Sequence, residues 1–122
     1  MRSMLRKKID NIRYALRGIQ IAWQEELSFK IQVAAMVLAI VLASLLRVSQ
    51  VEWLMTILAI GFVLSAEAFN TALEELCDKF KTDPDPHIGK IKDLAAAAVL
   101  IASLSALVVG AIIFVPKIVA LF

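Results

Sequence analysis

The sequence predicts an all-α integral membrane protein, with an amino-terminal amphipathic helix lying in the membrane interface and three transmembrane helices behind it. Three observations carry that expectation. The 122 residues are 61% hydrophobic and their mean hydropathy is +0.82, far above the roughly 45–50% apolar content of soluble domains. A chain of this length forms one domain, residues 1–122, and an aqueous core of that size would leave large apolar patches uncovered. Second, the runs from Ile31 to Leu46 and from Leu94 to Val115 carry no charge, and a further apolar run starts at Val51. Such lengths suit the hydrocarbon layer. Third, the lysines and arginines gather in two segments, as topology rather than nucleic-acid binding requires.

Residues 1–26 form the surface helix. Ile9, Ile12, Leu16, Ile19 and Trp23 recur at steps of three and four, while Arg6, Asp10, Arg13, Arg17 and Gln20 mostly face elsewhere. The basic face meets lipid phosphates and the indole sits at headgroup depth. A helix packed on a soluble partner fits less well beside three spans. The first apolar run begins only after a strongly charged segment, so no cleavable signal peptide is expected.

Span one covers about 27–47, with Lys30 and Arg47 as anchors whose stems snorkel outward and Gln32 facing protein rather than lipid. Span two covers about 51–80 and turns polar in its second half. Pro84, Pro86 and Gly89 make Lys81 to Lys90 an exposed loop. Span three covers about 92–116 and ends at Pro116 and Lys117. Basic residues favour the cytoplasmic side: Arg2, Arg6, Lys7, Lys8, Arg13, Arg17 and Lys30 precede span one, and Lys79, Lys81, Lys90 and Lys92 follow span two. The amino terminus is therefore expected in the cytoplasm and the carboxyl terminus outside.

The formal charge of +2 is too small for a nucleic-acid binder. Cys77 is the single cysteine, which excludes an intrachain disulfide and a cysteine-based zinc cluster.

Ionisable groups at membrane depth cost about 2.5–3.5 kcal/mol on insertion scales and are seldom gratuitous. Glu67, Asn70, Glu74 and Asp78 follow one another at steps of three, four and four, which on a helix makes one stripe roughly 80° wide. Such a stripe can hold a hard cation by oxygen ligands and leave its deepest member, Glu67, to accept a proton. A polar seam between helices carries similar weight on spacing alone. Glu25 and Glu26 lie at the same interface as Glu74, and Glu26 with Glu74 suffices for a nucleotide-bound Mg²⁺, although a solvated helix turn explains the pair equally. Lys92 can neutralise a phosphate, and Asp93 can fix a hydroxyl or amide of the nucleotide. His87, alone beside prolines, reads as a solvated histidine. There is no Walker-type glycine loop.

Ser65-Ala-Glu67-Ala-Phe-Asn70-Thr-Ala-Leu-Glu74, then Asp78, then Lys92-Asp93 with Ala95 to Ala98, resembles the signature of the small bacterial membrane lipid kinases, the prokaryotic diacylglycerol kinase and undecaprenol kinase family. The likeness runs from Tyr14 through the Trp23 to Phe29 segment to the last span. It implies a homotrimer in the bacterial inner membrane with active sites at subunit contacts, using ATP and Mg²⁺ to phosphorylate a lipid alcohol. By that resemblance Glu67 is the catalytic base, Glu26 and Glu74 bind magnesium, and Asn70 orients Glu67 and the lipid substrate. Tyr14, Glu26, Glu74, Asp83, Asp85, Lys92 and Asp93 then contact ATP.

The chain departs from the family pattern at Pro84 and Pro86, at Lys7 and Lys8 where an arginine is expected, and at Gln32 where some diacylglycerol-specific members carry glutamate. Ile112 to Lys117 and Glu52-Trp53 resemble the undecaprenol branch somewhat more, which favours undecaprenol over diacylglycerol as acceptor. Two other classes compete: a non-catalytic membrane assembly protein in which the stripe is interhelical glue, and a solute carrier. A carrier needs polar residues in several spans, and spans one and three offer only Gln32, Ser44, Ser103 and Ser105.

Overall fold

A computed structural model describes residues 1–80 and 85–122. Among the described residues the protein is entirely helical: α1 (Arg2–Glu25), α2 (Leu27–Leu45), α3 (Gln50–Lys79) and α4 (Pro86–Val119). The last three are long and apolar enough to cross a membrane.

A single residue separates α1 from α2. Glu26 is extended, at φ −113° and ψ 109°, so its backbone breaks the helix without a turn residue. The α2–α3 link is a compact cap. Arg47 adopts φ 51°, a left-handed conformation that costs a non-glycine residue about 1–2 kcal/mol. The amide of Arg47 bonds the Ser44 carbonyl at 3.3 Å and that of Val48 bonds the Ala43 carbonyl at 3.2 Å, which satisfies the carbonyls a helix end leaves open. Val48 and Ala43 are both buried, in one cluster with Ile113. The cap is thus held by packing from α4.

Helix α3 starts with a capping box. Ser49 accepts from the Glu52 amide at 3.2 Å and the Ser49 amide donates to Glu52 Oε1 at 2.9 Å. Lys117 near the end of α4 reaches Glu52 at 3.1 Å, which fixes the register of α4 along α3, the most extensive helix pair in the fold.

Two expectations need correction. Residues 86–90, expected in an exposed loop, form the first turn and a half of α4. Pro86 occupies a position where a helix has no use for the missing N–H, and Asp85 caps the end by accepting from the His87 amide at 2.9 Å. Pro116 does not end α4 either. The helix continues to Val119, because beyond Pro116 only one turn remains to be bent.

Few side chains are buried, and Phe62, Phe69, Leu107 and Ile112 are each 69–73% exposed. Apolar surface on this scale is at home in hydrocarbon or against other membrane helices, not in water.

Candidate active site

Glu67 is the one carboxylate buried by the described chain, at 5% exposure. Helix α3 carries it, and its Oε2 accepts a hydrogen bond from Gln32 Nε2 of α2 at 3.2 Å. One turn along α3, half-buried Asn70 donates through Nδ2 to Glu74 Oε1 at 3.2 Å. Asn70 Oδ1, Thr71 Oγ1 and Gln32 Oε1 are buried with no hydrogen-bond partner among the described residues. Buried polar groups are normally paired, and each exception asks for an explanation. Here the exceptions crowd around Glu67 and Glu74. A polar seam built as glue would pair its members, and this one leaves acceptors open.

Glu26, at the α1–α2 break, faces the same cluster. Burial lifts its carboxyl above the ordinary value, and the charges of Glu74, Glu67, Glu75 and Glu25 push in the same direction. The region is thus an acidic corner, in which Glu26 is surrounded by four other carboxylates. Residues of this type fit a hard cation: two carboxylates of adjacent helices and a spare amide oxygen at Asn70 are oxygen donors, which magnesium takes alongside phosphate oxygens and water. Among the described residues no three His, Cys, Asp or Glu side chains converge on one metal-sized point, so such an ion would draw part of its shell from nucleotide.

Lys92 of α4 binds Asp78 of α3 at 2.6 Å. Along the stripe, Glu67 meets α2 through Gln32, the charge of Glu74 acts on both Glu26 and Lys92, and Asp78 pairs with Lys92. Asp93 and Tyr14 are exposed, Tyr14 at 60%, and neither has a polar contact among the described residues. Asp85 is occupied in capping α4. Asp83 lies outside the described residues. Thr71 was not signalled by spacing; its neighbour Asn70 drew attention because it continues the carboxylate stripe, and a threonine hydroxyl in a membrane helix usually bonds its own backbone.

Leu64 and Met36, beside this cluster, border two apolar spaces. One, of about 330 Å³, lies between α2, α3 and α4 and includes Gln32, Thr56, Ser103 and Phe114. The other, about 660 Å³, opens between the apolar stripe of α1, at Leu16, Ile19 and Trp23, and residues Phe29, Leu64 and Ala68. A carboxylate beside two grooves for hydrocarbon suits an amphiphile whose polar end must reach it.

Known proteins agree with this chemistry. Residues 13–114 match the family described as prokaryotic diacylglycerol kinase. The chain is 31% identical over 116 residues to the undecaprenol kinase of Bacillus subtilis, covering 95% of this chain and 94% of that one. It is 31% identical over 100 residues to the diacylglycerol kinase of Escherichia coli K12, covering 82% of each, and 36% identical over 88 residues to that of Helicobacter pylori 26695, covering 72% of this chain and 69% of the relative. The chain belongs to the prokaryotic diacylglycerol kinase family and is a lipid kinase of the membrane.

Proposed function

We propose that the chain transfers the γ-phosphoryl group of ATP to the hydroxyl of a membrane lipid, with Glu67 as the base. The observation that carries this is a buried carboxylate whose sequence neighbours Ser65 and Ala68 and whose partner Gln32 line apolar grooves, and which among the described residues is engaged through Oε2 alone. Glu67 Oε1 takes the hydroxyl proton as the lipid oxygen attacks the γ-phosphorus. The bond from that phosphorus to the β–γ bridging oxygen breaks, and ADP leaves with the electron pair. Catalysis then consists mainly of alignment and charge neutralisation.

Glu26 and Glu74 would hold Mg²⁺, which when bound neutralises phosphate charge. Asn70, expected to orient Glu67, donates instead to Glu74, and its oxygen is left to orient the lipid substrate. Lys92, released from Asp78 by a competing phosphate, supplies the cation on the nucleotide side, with Asp93, Tyr14, Asp85 and Asp83 around the nucleotide. Helix α1 lies in the interface as an amphipathic lid over the lipid groove, the amino terminus in the cytoplasm and the carboxyl terminus outside the bacterial inner membrane. Three copies assemble, which covers the exposed apolar faces. As domain organisation we propose one kinase unit over 1–122.

For the acceptor, undecaprenol is favoured over diacylglycerol. The preference rests on Ile112 to Lys117 and Glu52-Trp53, where the chain resembles the undecaprenol branch. The test is labelled ATP and magnesium with each lipid in parallel in reconstituted membranes. Label in undecaprenyl phosphate supports the assignment; label in phosphatidic acid alone moves it to diacylglycerol; label in neither overturns the mechanism.

A further inference from the structure

We infer that Gln32 is a positioning residue for Glu67, holding the carboxylate by one oxygen so that the other stays open to an incoming hydroxyl. The inference rests on the role of Glu67 given above and concerns what makes that role possible. Gln32 and Glu67 stand on different helices, 35 positions apart in sequence, and meet at 3.2 Å. At 5% exposure Glu67 has almost no water to replace that donor. A glutamate has three side-chain torsions, and a general base must stay within hydrogen-bond reach of the proton it removes. Without a fixed partner the carboxylate would sample orientations that present neither oxygen to the lipid.

The amide is also oriented by its chemistry. An ionised carboxylate only accepts, so the nitrogen of Gln32 must face Glu67 and its oxygen must face away. That oxygen, Oε1, is buried and has no partner among the described residues, while Gln32 borders the 330 Å³ space between α2, α3 and α4. Packing does not account for such a residue. A methionine would fill the same volume without burying an unpaired acceptor, and an interhelical tie alone would be better served by a side chain with both ends paired. The charged groups near the pair are Glu26 and, along α3, Glu74. Neither donates a hydrogen bond as a carboxylate. Gln32 is therefore the sole donor on Glu67 among the described residues, and it acts through Glu67 without itself transferring a proton.

The test compares wild type, Gln32→Met, Gln32→Glu and Glu67→Gln as full chains in lipid membranes, measuring kcat and the KM for ATP and lipid. Gln32→Met keeps length and packing but loses the donor; Gln32→Glu keeps length and can still donate, because two buried carboxyl groups at hydrogen-bond distance share one proton. Gln32→Met is expected to lower kcat on the order of 10–100-fold, with KM for ATP unchanged, and Gln32→Glu to retain more of the activity. The infrared band of the Glu67 carboxyl group, identified by its loss in Glu67→Gln, should shift in Gln32→Met. If Glu67→Gln works as well as wild type, the role of Glu67 itself fails. If Glu67→Gln is inactive while Gln32→Met keeps wild-type kcat, or changes only the KM for lipid, or leaves the carboxyl band in place, the positioning role alone is overturned. Should Gln32→Met fail to assemble, Gln32→Leu, which also lacks the donor, decides by the same split.

Discussion

The two ends of α3 are both polar, and they treat their polar groups in opposite ways. At the start of the helix Ser49 and Glu52 satisfy each other, Thr56 donates to the Glu52 carbonyl at 2.8 Å, and Lys117 closes on Glu52 at 3.1 Å. In the second half, among the described residues, Glu67 and Glu74 each have one side-chain donor, and Asn70, Thr71 and Gln32 retain buried atoms with none. Paired groups lock helices together; open ones cost stability and persist where a ligand completes them. The difference separates the part of α3 that holds the fold from the part that works.

The largest expected effect lies at the working end. Glu67→Gln should lower kcat by about 10²–10⁴-fold, the usual worth of a general base, while the variant still assembles and its melting temperature in detergent falls little. A comparable loss of assembly would make the second half of α3 structural, and the contrast between its ends would collapse.

Glu26→Gln tests the acidic corner. Its carboxyl is raised above the ordinary value of 4.5 by burial and by its acidic neighbours. Below that ordinary value the group is protonated in folded and unfolded chains alike and costs nothing. As pH rises through the raised value, the unfolded chain ionises first and stability is lost. Without magnesium, Glu26→Gln should therefore melt higher than wild type at neutral pH and equal to it below pH 4.5. Its activity should fall on the order of tenfold or more and recover in part at high magnesium, since one of two carboxylate ligands is gone. A variant less stable at neutral pH would show that Glu26 is tied into the fold.

How much of this was legible in the sequence follows from the range of the interactions. The three spans and the Glu67, Asn70, Glu74 stripe are local patterns, so composition and helical spacing expose them. The start of α4 is hidden in the sequence because Pro86 has the composition of a breaker, although a proline at a helix start is favourable when Asp85 caps it. The Gln32 to Glu67 bond and the Lys92 to Asp78 pair depend on how one helix is rotated against another. No spacing within one helix contains that information. Asp78 continues the stripe by spacing, and only the packing of α4 on α3 brings Lys92 to it.

Lys92 offers a finer test of the working end. Lys92→Ala should raise the KM for ATP about tenfold, since it removes a charge-assisted hydrogen bond to the nucleotide. Asp78→Asn, which frees the lysine from its ion pair, should lower that KM or leave it unchanged. An equal loss from both variants would make the 2.6 Å pair a strut between α3 and α4 rather than a cation held ready.

The smallest effect belongs at the other end of α3. Lys117→Met removes a surface ion pair, and such pairs contribute little to stability. Ser49→Ala removes half of the capping box, which costs about 1 kcal/mol. Both should lower the melting temperature by a few degrees at most, with kcat and both KM values unchanged. The Schellman-type cap at Arg47 and the buried Ala43, Val48 and Ile113 still hold the turn, so the loss is not expected to spread. A fall in kcat from either variant would mean that the register fixed between α3 and α4 at this end sets the position of Glu67 at the other, and the two ends would then be one device.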